Sequence, residues 1–198
     1  MPKWIVFCAD GTWNGPGQDD NGDKLPDPTN VFKLFWGLAG ELTAGSVIAA
    51  DEQEKALVVN GKLLQLAKYI HGVGDSRNPI RRLVGGAFGA GIIARIVRGY
   101  TFISRNYEPG DRIVIVGFSR GAYTARALAG MVAGQGLLGK HLTADKERAY
   151  RAGAQAWYRY RNQRSKGPGF LERLAEVMAD LPAYMSSKAL KKTDFVQV

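Results

Sequence analysis

Apolar residues in this chain fall into a few short continuous runs, separated by stretches with helical spacing. Trp4-Ile5-Val6-Phe7-Cys8 is such a run, closed by Asp10-Gly11, which is the pattern of a buried strand entering a tight turn. Ile113-Val114-Ile115-Val116 is the clearest strand, wholly β-branched, and it follows the turn residues Pro109-Gly110-Asp111. Thr29-Asn30 offers an N-cap for a helix from residue 31 to about 39, with Val31, Leu34, Phe35 and Leu38 on one face. Asn60-Gly61, set between residues 56–59 and 63–70, predicts a hairpin whose second arm runs into His71-Gly72. Ile92, Ile93, Ile96, Val97, Tyr100 and Ile103 have helical spacing, as do residues 122–138. Thr143 is placed to cap a helix reaching about residue 164, and residues 170–181 form another amphipathic stretch. The last four residues, 195–198, read as a strand that has barely begun. Strands alternating with helices predict an α/β fold with a largely parallel sheet and flanking helices.

Residues 12–28 are rich in Gly, Pro, Asn and Asp, hence a long loop. With no repeat and no linker, the 198 residues read as one domain. Apolar residues make up 45% of the chain and charged residues 23%, so it is not disordered as a whole. One cysteine, Cys8, and two histidines exclude a disulfide framework and a Cys/His zinc site; no metal is expected. Cys8 itself reads as a small buried hydrophobe. No segment has the ~20 apolar residues that cross a bilayer, and the run after Lys3 is too short for a signal peptide. The expectation is a protein made in the cytosol that leaves it only through a dedicated secretion machine.

The central chemical feature is Gly117-Phe118-Ser119-Arg120-Gly121. It ends the 113–116 strand and opens the 122–138 helix, the junction at which a G-x-S-x-G pattern has physical meaning. A sharp turn there lifts the serine hydroxyl above the sheet end, and strand and helix pass too closely for side chains two residues before and after. Gly117 and Gly121 meet that requirement. The helix N-terminus under Ser119 supplies amides for a developing oxyanion, the backbone N–H of Arg120 among them. A second donor would come from the loop after another strand, where Gly11 and Thr12 follow Asp10; the plainer reading of Asp10-Gly11 is a turn.

Six blocks then appear in order: residues 7–14 (Phe-Cys-Ala-Asp-Gly-Thr-Trp-Asn), Thr29-Asn30-Val31, Gly72-Val73-Gly74, residues 85–89, residues 106–111, and residues 117–126 through Gly117-Phe118-Ser119-Arg120-Gly121 to Arg126. In these blocks the chain resembles the α/β-hydrolase-domain family that includes phospholipase effectors of bacterial type VI secretion, closely over residues 3–139 and loosely beyond. The resemblance implies an α/β-hydrolase-like fold, an esterase or phospholipase-type acyl hydrolase with Ser119 as nucleophile, a lipid or other ester substrate, no cofactor, and an unspecified secretion or immunity partner.

The triad is where the sequence departs from that pattern. On this fold the order is Ser, then Asp or Glu, then His. His141 is the only later histidine; it precedes every plausible acid and lies about 18 helical residues, ~27 Å, from the elbow. The resemblance places the acid after a strand like residues 195–198, in a Val-Trp-Asp-Thr-like segment, with the histidine later still. The chain therefore reads as the front part of a catalytic domain, truncated at its C-terminus and nearly inactive as given. His71, at the end of a strand, is the remaining and weaker candidate for the base, against a loop histidine with a local hydrogen bond.

Two nucleotide-like patterns carry nothing: residues 89–94 follow no strand, and residues 134–140 end a helix. Net charge is +9, and residues 1–75 hold six Lys/Arg against ten Asp/Glu, so the basic excess lies in the remainder. Arg148, Arg151, Arg159, Arg161, Arg164 and Lys166 interleave with Tyr150, Trp157, Tyr158 and Tyr160, as on an anionic membrane surface. Nucleic acid is the weaker partner for that face. Arg120 and Arg126 flank the elbow; they would either read a phosphate or carboxylate or pair with a loop acid such as Asp10 or Asp111. The alternative to an enzyme is a non-catalytic remnant or binding module that uses the basic half to hold an anionic surface.

Overall fold

The computed structural model describes residues 1–11, 27–44, 46, 52–72, 87–164 and 190–198, of which 87–90 and 163–164 by backbone alone. The chain divides into two compact units: Met1–Arg77 with Asn106–Arg126, and Asn78–Arg105 with Ala127–Val198.

In the first unit, β1 (Trp4–Ala9), β2 (Glu41–Leu42), β3 (Glu52–Val59), β4 (Lys62–Ile70) and β5 (Arg112–Gly117) form one sheet in the order β2-β3-β4-β1-β5. β1 is an interior strand, parallel to both neighbours, with Ala9 level with Ile70 on one side and Gly117 on the other. β2 and β3 run antiparallel, so the sheet is mixed and only partly parallel, which corrects the largely parallel expectation. The reason is the hairpin: Asn60 (φ 50°) and Gly61 (φ 72°) make the tight two-residue reversal that an Asn-Gly pair favours. The first arm starts at Glu52, earlier than expected, because its charges are matched across the strands. The Lys68 ammonium lies 2.5 Å from Glu52 and 2.9 Å from Glu54.

Helix α1 (Asn30–Gly37) covers one face of this sheet. Thr29 caps it, its Oγ1 accepting from the Phe32 amide at 3.1 Å. Val31 and Phe35 then pack on Val6, Cys8, Ala67 and Tyr69, with Phe32, Leu38, Val114 and Val116 around them. At the other end the Lys55 ammonium donates to the carbonyls of Trp36, at 2.9 Å, and Leu38. A buried lysine thus occupies the negative end of the helix, where its charge is favourable.

The second unit holds α2 (Ala87–Asn106), most of α3 (Arg120–Gln135), β6 (Leu137–Leu138), α4 (Lys140–Thr143), α5 (Lys146–Arg164), a 3-10 turn (Lys192–Asp194) and β7 (Phe195–Val196). The helix expected to reach residue 138 stops at Gln135, because Gly136 takes φ 81° and a β-carbon there would overlap the Val196 carbonyl. Leu137-Leu138 then pair antiparallel with Phe195-Val196, so the terminal strand joins a two-stranded sheet. Thr143 ends α4 instead of capping α5; that cap is Asp145, whose Oδ1 accepts from the Arg148 amide at 2.8 Å. Within this unit Gly153 lets α5 approach α2, since a β-carbon would stand 2.8 Å from Thr101 Cγ2. The helix expected at 170–181 lies outside the described residues.

Candidate active site

Parallel pairing brings the C-terminal ends of β4, β1 and β5 to one edge of the first unit's sheet, which is where open α/β sheets place their chemistry. At that edge Phe118 donates its amide to the Ala9 carbonyl at 3.1 Å. Ser119 follows with φ 53°, a left-handed conformation that costs a non-glycine residue about 1–2 kcal/mol. Helix α3 opens at once, with Gly121 N–H donating to Phe118 O at 2.8 Å and Ala122 N–H to Ser119 O at 2.9 Å. A β-carbon at Gly117 would overlap the Gly121 carbonyl and lie 2.7 Å from the Ala122 nitrogen. One at Gly121 would overlap the Ala9 carbonyl and lie 2.6 Å from Asp10 O. Both positions must therefore be glycine, and the turn that results leaves Ser119 exposed. Among the described residues its hydroxyl has no hydrogen-bond partner.

One strand over, Asp10 is 2% exposed and its carboxylate is fully engaged. Oδ2 accepts from Tyr69 Oη at 2.6 Å and Thr29 Oγ1 at 2.8 Å, while Oδ1 accepts from the Gly11 amide at 2.8 Å. Thr29 thus caps α1 and binds Asp10 together. The sequence marks Thr29 as a cap and as part of a block of the family resemblance, but not as a partner of Asp10, and it gives no sign of Tyr69, which no local pattern sets apart from a core aromatic. The Gly11 amide, expected as an oxyanion donor, already donates to Asp10, so that role would require exchange of its partner. Thr12 lies outside the described residues. Beneath this network, burial first and then the Asp10 charge push the Cys8 thiol up to about 12, which makes it inert.

His71 lies one residue past Ile70, at the same edge as Asp10, buried with its ring edge-on to Tyr69 at 5.2 Å. Two strand spacings separate its strand from that of Ser119, about 10 Å of sheet. His141 belongs to the second unit, with Nε2 3.3 Å from Asp194 Oδ1. The Lys191 amide, and then His141, hold the Asp194 carboxyl below its usual range. Arg120 is half-buried and Arg126 exposed. Neither loop acid named for Arg126 pairs with it: Asp10 is engaged as above, and Asp111 binds the Lys3 ammonium, the Lys3 amide and the Glu108 amide.

The basic, aromatic segment is partly a core element. Trp157 and Tyr160 are buried with ring centroids 6.0 Å apart, and the Arg159 guanidinium lies over Phe195 at 5.0 Å. Arg148, Arg151 and Tyr158 remain exposed on α5. No helix among the described residues is long and apolar enough to cross a membrane.

The family profile described as "T6SS, Phospholipase effector Tle1-like, catalytic domain" matches residues 3–193. An uncharacterised protein of Saccharomyces cerevisiae is 33% identical over 154 residues, covering 71% of this chain and 19% of the yeast protein. The chain thus spans about a fifth of the length of that relative. No solved structure matches significantly.

Proposed function

The chain belongs to this family of type VI secretion phospholipase effector catalytic domains, and on that premise we propose that it is a serine acyl hydrolase acting on lipid esters through Ser119. The observation that carries the reading is the left-handed Ser119 between two glycines with no room for a β-carbon. A binding module has no need of that strain, whereas a nucleophile presented to an ester carbonyl does.

In the reaction, Ser119 Oγ attacks the carbonyl carbon and its proton passes to a base. The Arg120 amide, at the positive end of α3, stabilises the oxyanion, and the Gly11 amide would join it only on exchanging its bond to Asp10 Oδ1. The tetrahedral intermediate collapses, the alcohol leaves with the proton, and water hydrolyses the acyl-enzyme by the same route. Asp10, Tyr69 and Thr29 act one step back by fixing the start of the oxyanion loop. His71 is the base candidate within the first unit; without an aligned histidine, catalysis falls to roughly 10³–10⁴-fold over water.

The test is hydrolysis of a short-chain p-nitrophenyl ester by the chain and by its Ser119→Ala and His71→Gln variants. Loss of turnover in Ser119→Ala supports the reading, and turnover unchanged by Ser119→Ala overturns it. One observation favours a second, non-catalytic reading: no described side chain bonds the Ser119 hydroxyl. Lipid binding with no Ser119-dependent turnover would select it.

A further inference from the structure

The first unit's sheet has two edges, and they are built differently. At one, β2 is only Glu41–Leu42, a short charged edge of the kind that discourages further pairing. At the other, β5 runs through Ile113-Val114-Ile115-Val116-Gly117 with no charge, proline or register shift, and every one of these residues is only partly buried. Among the described residues no strand pairs with its outer side.

The register decides which backbone groups face that side. Arg112 donates its amide to Lys3 O at 2.9 Å and Phe118 donates to Ala9 O at 3.1 Å, so the even-numbered residues of β5 bond β1. Bonding alternates along a parallel ladder, so Ile113, Ile115 and Gly117 turn their N–H and C=O groups outward. Donors and acceptors at every second residue are what an antiparallel strand requires, and here they are self-complementary. A second β5, turned about a twofold axis at Ile115, sets Ile115 against its own copy and Ile113 against Gly117, and every outward group is bonded.

The strand ends fit as well. In that register Arg112 of one copy stands opposite Phe118 of the other. Phe118 is 50% exposed, and Trp4, whose ring lies 5.0 Å from the Arg112 guanidinium, is 43% exposed. The pairing gathers both aromatics around one cation. The two Arg112 charges stand about 20 Å apart along the strands, beyond the screening length in physiological salt.

We propose that the outer edge of β5 is a homodimer interface, where two copies of this chain join their sheets by antiparallel pairing across a twofold axis at Ile115. The self-complementary bonding and the Arg112–Phe118 match at both ends select a second copy over an unrelated strand. This interface is independent of the acyl-hydrolase chemistry.

The experiment uses the full chain. Sedimentation from about 1 to 100 μM should show monomer passing into a species of twice the mass. Ile115→Pro removes an outward N–H and no bond to β1, a change that edge strands tolerate, and should stay monomeric throughout. Ile115→Cys should form a disulfide-linked dimer on mild oxidation, since residues so paired have Cα atoms about 5.5 Å apart. Ile113→Cys should not, because its own copy would lie about 14 Å away; Cys8 is buried in both variants. The two cysteine variants decide the matter if Ile115→Pro does not fold. Monomer at every concentration, a dimer retained by Ile115→Pro, or equal cross-linking of the two cysteine variants overturns the proposal. Hydrogen exchange reads the same edge, where the Ile113 and Ile115 amides should lose protection on dilution. Protection that dilution leaves unchanged would assign the edge to another segment of this chain and overturn the proposal as well.

Discussion

The carbonyl oxygen of Asp10 lies 2.6 Å from the position a β-carbon would take on Gly121. The end of β1 and the first turn of α3 are in backbone contact, so the elbow and the start of the Asp10 loop form one edge. Gly121→Ala must force them apart. We expect a loss of about 3 kcal/mol in denaturant unfolding, at the upper end for overpacking, together with loss of any Ser119-dependent turnover. Gly117→Ala should behave alike, since its β-carbon would meet the same turn from the other side.

Ser119 holds a conformation that glycine adopts freely. Ser119→Gly should therefore be more stable than Ser119→Ala by about 1 kcal/mol, although both lack the hydroxyl. Paired thermal melts of the two variants measure this difference. Equal stability would mean that the backbone at residue 119 is not strained.

Much of this edge was legible in the sequence, and the reasons are local. The run from Trp4 to Cys8, the Asn60-Gly61 reversal, the Thr29 cap and the elbow glycines each carry their own signal within a few residues. What was not legible depends on partners far along the chain. The apolar pattern marks only residues 56–59 as the first arm; Glu52 and Glu54 join the strand with Lys68 paired to both. Leu137-Leu138 read as the end of a helix, because a two-residue strand has no periodicity and its partner, Phe195-Val196, lies nearly sixty residues on. Asp10 read as a turn residue; only the sheet register brings Tyr69 beside it.

The Asp10 network gives a prediction of its own. Asp10→Asn keeps the shape but sets an amide against the Gly11 amide, Tyr69 and Thr29, and should cost about 2 kcal/mol. Tyr69→Phe should cost about 1–2 kcal/mol, and the pair should be non-additive by more than 0.5 kcal/mol. A double-mutant cycle from urea unfolding checks this, and additivity would mean that the two groups do not share their hydrogen bond.

Acid should act on the first unit through Asp111. Burial alone would raise its pKa, but hydrogen bonds from the Lys3 ammonium, the Lys3 amide and the Glu108 amide outweigh it and hold the carboxyl below its usual range. A depressed carboxyl contributes stability above its unfolded value, near pH 4, and loses it as pH falls through the lower folded value. Asp111→Asn should cost about 1 kcal/mol at neutral pH, the range of a part-buried ion pair, and flatten the stability profile below pH 4. Unfolding curves collected from pH 7 to pH 2 read both effects.

The central claim is that Ser119 is a nucleophile, and covalent capture tests it without reference to the natural substrate. The intact chain is incubated with a fluorophosphonate, which phosphonylates serines whose hydroxyl is activated and whose oxyanion is stabilised. Tryptic mass spectrometry then locates the adduct. The account predicts one adduct, on Ser119, absent in Ser119→Ala and slowed in Gly121→Ala. An unlabelled Ser119 after prolonged exposure, or an equal yield of adduct on other serines, would contradict it.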